Sequence, residues 1–209
     1  MIVLLSPAKS LDFDSPTISD KISEPVFVKE SSELLKVLAK LSANDLQELM
    51  RISPALAELN FNRFQEMRNF PSEVPAKQAI SVFVGEAYRG LSAGDFSNKD
   101  LKFAQDHLRI LSGFYGVLRP LDLIQPYRLE MGTKLKVDKN ENLYKFWGDK
   151  ITEQINKDLQ SPTIINLASD EYFKSINKKI LNAEIITPVF YDNHKGNYKM
   201  ITVYAKNAR

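Results

Sequence analysis

Fifteen central residues, LRILSGFYGVLRPLD from Leu108 to Asp122, are apolar apart from two arginines, one aspartate and one serine, yet they include Gly113 and Gly116. A run this apolar must be buried, and two glycines three apart require it to bend. With only 8 Gly in 209 residues, the placement limits the folds available. Leu101, Ala104, Leu108 and Leu111 recur at three and four, and Ser97 with Asp100 supplies a capping box, so the spacing predicts a helix arriving at Leu111. Gly113 then takes the position after the helix end, and Gly116 lets the chain turn again before VLRPLD begins a second helical segment. This reads as a helix-hairpin-helix, with the amides of Gly113 through Val117 bare at a helix N-terminus where an anion is favoured. Ser112, Arg109, Arg119, Arg128, Lys134 and Lys136 lie near in sequence, against Asp122 and Glu130. The alternative is an ordinary helix end followed by a turn, because the hairpin that grips nucleic acid spaces its glycines two apart.

Around this centre the chain alternates strands and helices. MIVLL is a buried strand ending at Ser6-Pro7, AISVFVG a second, and TIINL a third. EIITPVFY and YKMITVYAK form a hairpin around DNHKGN. Helices are expected from Ser32 to Leu41, after Ser42 with Asp45, and after Ser53-Pro54. Another runs from a cap at Asn142 through Leu143, Trp147, Ile151, Ile155 and Leu159. Strands interleaved with helices, then a hairpin, predict a mixed α/β or α+β fold with a central sheet in one domain, 1–209. At 44% apolar residues, 209 positions bury one sizeable core.

Composition narrows the chemistry. Zero Cys and two His, His107 and His194, exclude disulfides, iron–sulfur ligation and thiolate zinc, so no cofactor or metal is expected and any metal would need oxygen ligands. No run is long enough to span a bilayer, and MIVLL lacks the basic flank of a signal peptide, so no membrane association and a cytoplasmic location are expected. Residues 1–100 carry 11 basic and 14 acidic side chains, whereas 174–209 carry 7 and 2. That basic tail is either a solvated face or an anion-facing surface.

Polar clusters follow each predicted inner strand: Ser6-Pro7-Ala8-Lys9, Gly85-Glu86-Ala87-Tyr88-Arg89 and Ala168-Ser169-Asp170-Glu171-Tyr172. If the strands run parallel, their carboxyl ends meet along one sheet edge and form a cleft. Lys9 and Arg89 would make it positive, while Glu86, Asp170 and Glu171 could accept protons or hold a hard cation. Ser6 with Lys9 is a candidate nucleophile and base, set against plainer roles: a surface Lys9, a Glu86 partner for it, and Ser169 or Asp170 as a helix cap. There is no Walker A, G-x-S-x-G or dinucleotide fingerprint. Tyr115, Tyr127 and Trp147 are either stacking platforms near Arg119 and Arg128 or core.

SPAK at 6–9, MRIS at 50–53, AYRGL at 87–91, HLRILSGFYGVLRPLDLIQPYRLEMG at 107–132, FWGD at 146–149, NLASDEYF at 166–173 and the closing YAKNAR together resemble the YaaA peroxide-stress family of bacteria. The resemblance covers essentially all of the chain. It implies a protein that limits oxidative damage when hydrogen peroxide accumulates, associated with iron homeostasis through lower free intracellular iron. It also implies binding to duplex or branched DNA, without sequence preference, through a helix-hairpin-helix and a positive cleft. Carried over, the hairpin falls on Leu111 to Val117 and the cleft on Lys9, Arg51, Arg89, Arg119, Arg128 and Lys206. No enzymatic reaction is implied, and a monomer without enzymatic activity is expected; the alternative is an enzyme acting on a phosphate-bearing or other anionic small molecule around Ser6, Lys9, Glu86 and Asp170. Relatives of this family continue beyond the YAKxAR segment, so a chain ending at Arg209 is expected to lack that extension.

Overall fold

A computed structural model describes residues 1–67, 75–194 and 197–200. In chain order the elements are β1 (Ile2–Leu5), β2 (Ser10–Leu11), α1 (Val28–Leu38), α2 (Ala43–Met50), α3 (Pro54–Met67), β3 (Lys77–Gln78), α4 (Ala79–Val82), β4 (Phe83–Val84), α5 (Glu86–Leu91) and α6 (Asn98–His107). They continue with β5 (Leu108–Ser112), β6 (Gly116–Leu118), β7 (Leu123–Ile124), α7 (Leu143–Trp147), α8 (Lys150–Asp158), β8 (Thr163–Asn166), α9 (Asp170–Phe173), β9 (Glu184–Ile186), β10 (Tyr191–His194) and β11 (Asn197–Met200). The architecture is mixed α+β.

The main sheet has the order β6-β5-β1-β8-β9. β1 runs parallel to both β5 and β8, β8 runs parallel to β9, and only β6 is antiparallel. The chain leaves β1 towards β5 on one side, whereas it leaves β8 towards β9 on the other. Adjacent parallel strands whose connections diverge open a crevice at their carboxyl ends. Here that crevice lies after Leu5 and Asn166.

Helix starts follow the expected caps. Ser42 with Asp45 and Ser97 with Asp100 each form a reciprocal capping box, and Ser53 precedes Pro54 at the first turn of α3. The serine hydroxyls, and then the serine backbone amides, hold the Asp45 and Asp100 carboxyls below their ordinary value of 3.8. A depressed folded-state value stabilises above the ordinary carboxylate range, and that stabilisation is lost as pH falls through the folded value. Ser97→Ala is therefore expected to lower the thermal midpoint near neutral pH and to narrow its gap from wild type in acid, as a pH series of melting curves would show.

Four segments depart from the sequence reading. LRILS is strand β5, not the end of a helix: α6 stops at His107, and every residue of β5 is buried between β1 and β6. A strand covered on both faces loses its two-residue alternation, so the leucine spacing merely coincided with a helical stripe. The expected helix-hairpin-helix is thus a β-hairpin, β5 to β6. AISVFVG is not an inner strand but the short α4 followed by β4, which pairs antiparallel with β2 at the periphery. The helix expected from Leu143 to Leu159 breaks at Gly148, whose φ of +49° interrupts the α geometry between α7 and α8. Of the expected late hairpin, Tyr191–His194 pairs antiparallel with Asn197–Met200, whereas Glu184–Ile186 at the start of EIITPVFY joins the main sheet as β9 parallel to β8; the rest of YKMITVYAK, from residue 201, lies outside the described residues.

The glycine pair is explained by packing. Gly116 has φ +71°, and a Cβ there would meet the Trp147 ring at 2.8 Å and Phe27 at 2.9 Å. At Gly113 a Cβ would sit 2.3 Å from the Leu129 carbonyl oxygen. Trp147, fully buried, donates from Nε1 to the Gly113 carbonyl at 3.0 Å. Ser112 Oγ accepts from the backbone amides of Phe114 and Tyr115 and bonds the Tyr127 hydroxyl at 2.6 Å. The bend is interior, and these two amides are already satisfied. Phe114, Tyr115 and Tyr127 form a mutual aromatic cluster with centroids 4.8–5.3 Å apart.

Candidate functional site

The crevice between β1 and β8 holds a cavity of about 520 Å³, within the range typical of small-ligand sites. Its walls come from the segments after β1 and β8, from the start of α5, and from an extended strap, residues 127–130. Its polar residues include Ser6, Lys9, Glu86, Tyr88, Tyr127, Arg128, Glu130, Ser169, Glu171 and Tyr172.

Parallel pairing of β1 with β8 brings residues from the two ends of the chain into contact. Ser6 Oγ accepts from the Ser169 amide at 2.9 Å and donates to Ser169 Oγ at 3.2 Å. Ser169 stands before α9 without making a side-chain cap bond. Tyr88 donates its hydroxyl proton to the Ser6 carbonyl at 2.9 Å. Glu171 accepts from the Gly132 amide at 2.8 Å, which fixes its carboxylate against the strap. Burial is the main cause raising the Tyr88, Tyr127 and Tyr172 hydroxyls above their ordinary range, so all three stay protonated and act as hydrogen-bond groups, not bases.

The cations are partnered. Glu130 joins two of them: its Oε2 lies 3.1 Å from Lys9 Nζ and its Oε1 3.1 Å from Arg128 Nη2. Arg89 pairs with Glu86. Lys9 is well exposed, whereas Arg128 is mostly buried.

Of the residues singled out in the sequence, Ser6, Lys9, Glu86 and Arg128 line the cavity, with Arg89 attached through Glu86. Ser6 and Lys9 do not form the suggested dyad, because the serine is bonded to Ser169 and the lysine to Glu130. Asp170 begins α9 and lies outside the lining, where its neighbour Glu171 stands instead. Ser112, Gly113 and Gly116 belong to the buried hairpin. Arg119 is also elsewhere: its guanidinium bonds the fully buried Asp122 and the Glu24 carbonyl. Arg109 is buried with Asp158 at 2.6 Å. Arg51 is an exposed left-handed residue ending α2, and Lys206 lies outside the described residues. In the sequence Glu130 stands out only as a charge near the arginines. The alternation Arg128-Leu129-Glu130, which puts both charged groups on one side of an extended segment, was the available signal.

Among the described residues no group of three or more His, Asp or Glu side chains is placed to hold a metal ion, and no helix is long and apolar enough to cross a membrane.

Comparison with known proteins agrees with the sequence resemblance. Residues 1–209 match the family described as peroxide stress protein YaaA. A UPF0246 protein of Saccharophagus degradans is 50% identical over 212 residues, spanning 100% of this chain and 83% of the relative. With the match running the full length of the chain, the protein belongs to the YaaA family of peroxide stress proteins.

Proposed function

We propose that the protein serves its peroxide-stress role by binding DNA at the strand-end cleft, with Lys9, Arg89 and Arg128 meeting phosphates and no base sequence being read. The observation carrying this reading is the gathering of these cations at a cavity of nucleotide size. The buried hairpin offers no comparable surface, so in this reading the peptide nitrogens of residues 113–117 take no part. Any fall in free iron, which the resemblance implies, is assigned to an indirect effect and not to capture by the protein; ferrous-ion calorimetry that detects stoichiometric binding would refute that assignment.

Phosphate contacts release counterions, so three of them predict a slope of log affinity against log salt of about −2.7, or roughly fortyfold weaker binding at 200 mM than at 50 mM salt. Electrophoretic titration of random-sequence duplexes measures this directly. A flat salt response would refute the phosphate contacts.

The hydroxyl pair of Ser6 and Ser169 beside the Lys9–Glu130–Arg128 cluster favours one second reading, in which the cleft holds a small phosphate-bearing molecule and acts on it. Glu86→Gln separates the two. Loss of peroxide protection with DNA affinity kept or raised favours the small molecule, and protection kept with DNA affinity kept or raised favours DNA.

A further inference from the structure

We infer that Glu130 is an internal stand-in for the ligand, a carboxylate that occupies an oxyanion seat between Lys9 and Arg128 and is displaced when a phosphate group enters. This rests on the proposed anion-binding role of the cleft and deepens it. Three observations converge. Glu130 bridges two cations from separate parts of the chain, one following β1 and one on the strap, within a cavity that its own side chain does not fill. It engages Arg128 through Nη2 alone. The Nε of Arg128, the other nitrogen on that side of the guanidinium, is buried and has no hydrogen-bond partner among the described residues.

A guanidinium offers Nε and Nη2 as a fork matched to two oxygens of one oxyanion. Glu130 spends one oxygen on Arg128 and the other on Lys9, so it leaves the fork half filled. A phosphate group has oxygens enough to take both nitrogens of the fork and Lys9 together. The incoming group therefore completes bonds that the resident carboxylate cannot, and Glu130 turns out towards solvent, where it is already partly exposed. Like-charge repulsion between Glu130 and the arriving phosphate makes the exchange competitive. Affinity then depends on how readily the carboxylate leaves.

Isothermal titration with inorganic phosphate, and separately with a random-sequence duplex oligonucleotide, tests this on wild type, Glu130→Gln and Arg128→Lys. Glu130→Gln is expected to bind phosphate about tenfold more tightly, the effect of removing one competing charge-assisted contact. Arg128→Lys keeps the charge, removes the fork, and is expected to lose most of that binding. A duplex that gains in the same way identifies the seat as a DNA phosphate site, and a gain confined to free phosphate identifies a small-molecule site; either supports the exchange. Equal or weaker binding by Glu130→Gln, with Arg128→Lys impaired, overturns the stand-in role while leaving the cleft as an anion site. Failure of all three proteins to bind either probe overturns both. Melting curves of the variants confirm that the comparison is between folded proteins.

Discussion

Alanine at Gly113 is expected to lower the thermal midpoint by about 6–12 °C, because its Cβ would sit against backbone, which has nowhere to move. The nearest atom, the Leu129 carbonyl oxygen, is 2.3 Å away, and the Leu129 and Glu130 carbonyl carbons are at 3.0 Å. Overpacking of this kind costs about 3 kcal/mol, and each kilocalorie shifts the midpoint of a domain this size by about 2–4 °C. The damage reaches the cleft, since Leu129 and Glu130 belong to the strap that presents Arg128. Gly116→Ala is expected to be similarly destabilising for a different reason: its φ of +71° strains any side chain, and the Trp147 ring blocks the space. Its obstruction lies against Trp147 and Phe27, not against the strap. Measured well below the melting transition, Gly113→Ala should bind ligand less tightly and Gly116→Ala should bind normally. Equal binding defects would return the bend to the ligand site.

Asp158→Ala is expected to cost about 4 kcal/mol, measurable in chemical denaturation, because it leaves a buried cation without its carboxylate. Arg109 is only 6% exposed and donates from Nε to Asp158 at 2.6 Å, while Nη1 bonds the Gln105 and Leu108 carbonyls. The pair fastens the end of α8 to the start of strand β5. Replacing both residues, as Arg109→Met with Asp158→Ala, is expected to recover much of the loss, since an apolar side chain carries no charge to strand. A double variant as unstable as Asp158→Ala alone would place the cost in lost packing and not in the orphaned guanidinium.

The legible parts of the fold were those in which local chemistry and tertiary role agree. MIVLL and TIINL are continuous apolar runs and became β1 and β8; the Ser42 and Ser97 capping boxes start α2 and α6 where expected. LRILS was not legible. It is a central strand whose buried residues 108 and 111 extend the apolar spacing of α6 without a break, and no turn residue separates helix from strand. AISVFVG is β-branched and aromatic, yet the amides of Ala79 and Ile80 bond the carbonyls of Asp122 and Pro120, a long-range choice that propensity cannot anticipate. Gly148 did carry a signal, because a glycine after an apolar helical stretch is a common helix end.

The cleft divides in the same way. Ser6, Lys9 and Glu86 were legible because they directly follow strand-like segments, and the parallel pairing of β1 and β8 put two of the three expected clusters together. The third cluster arrived from a peripheral strand by a different route. Apart from the Arg128-Leu129-Glu130 alternation, nothing local marks Glu130 or Gly132, for they sit on an irregular stretch whose neighbours depend on the buried turn at Gly113. The glycines that first suggested direct contact with a polyanion thus bear on the cleft through packing.

The proposed role of the cleft is open to one measurement: equilibrium binding of a random-sequence duplex to wild type and to a Lys9→Ala, Arg128→Gln double variant at two salt concentrations. Removing two phosphate contacts is expected to lower affinity at least tenfold and to reduce the salt slope by about 2. Affinity and slope both equal to wild type, with the variant folded, would contradict the cleft as the place where phosphate is held.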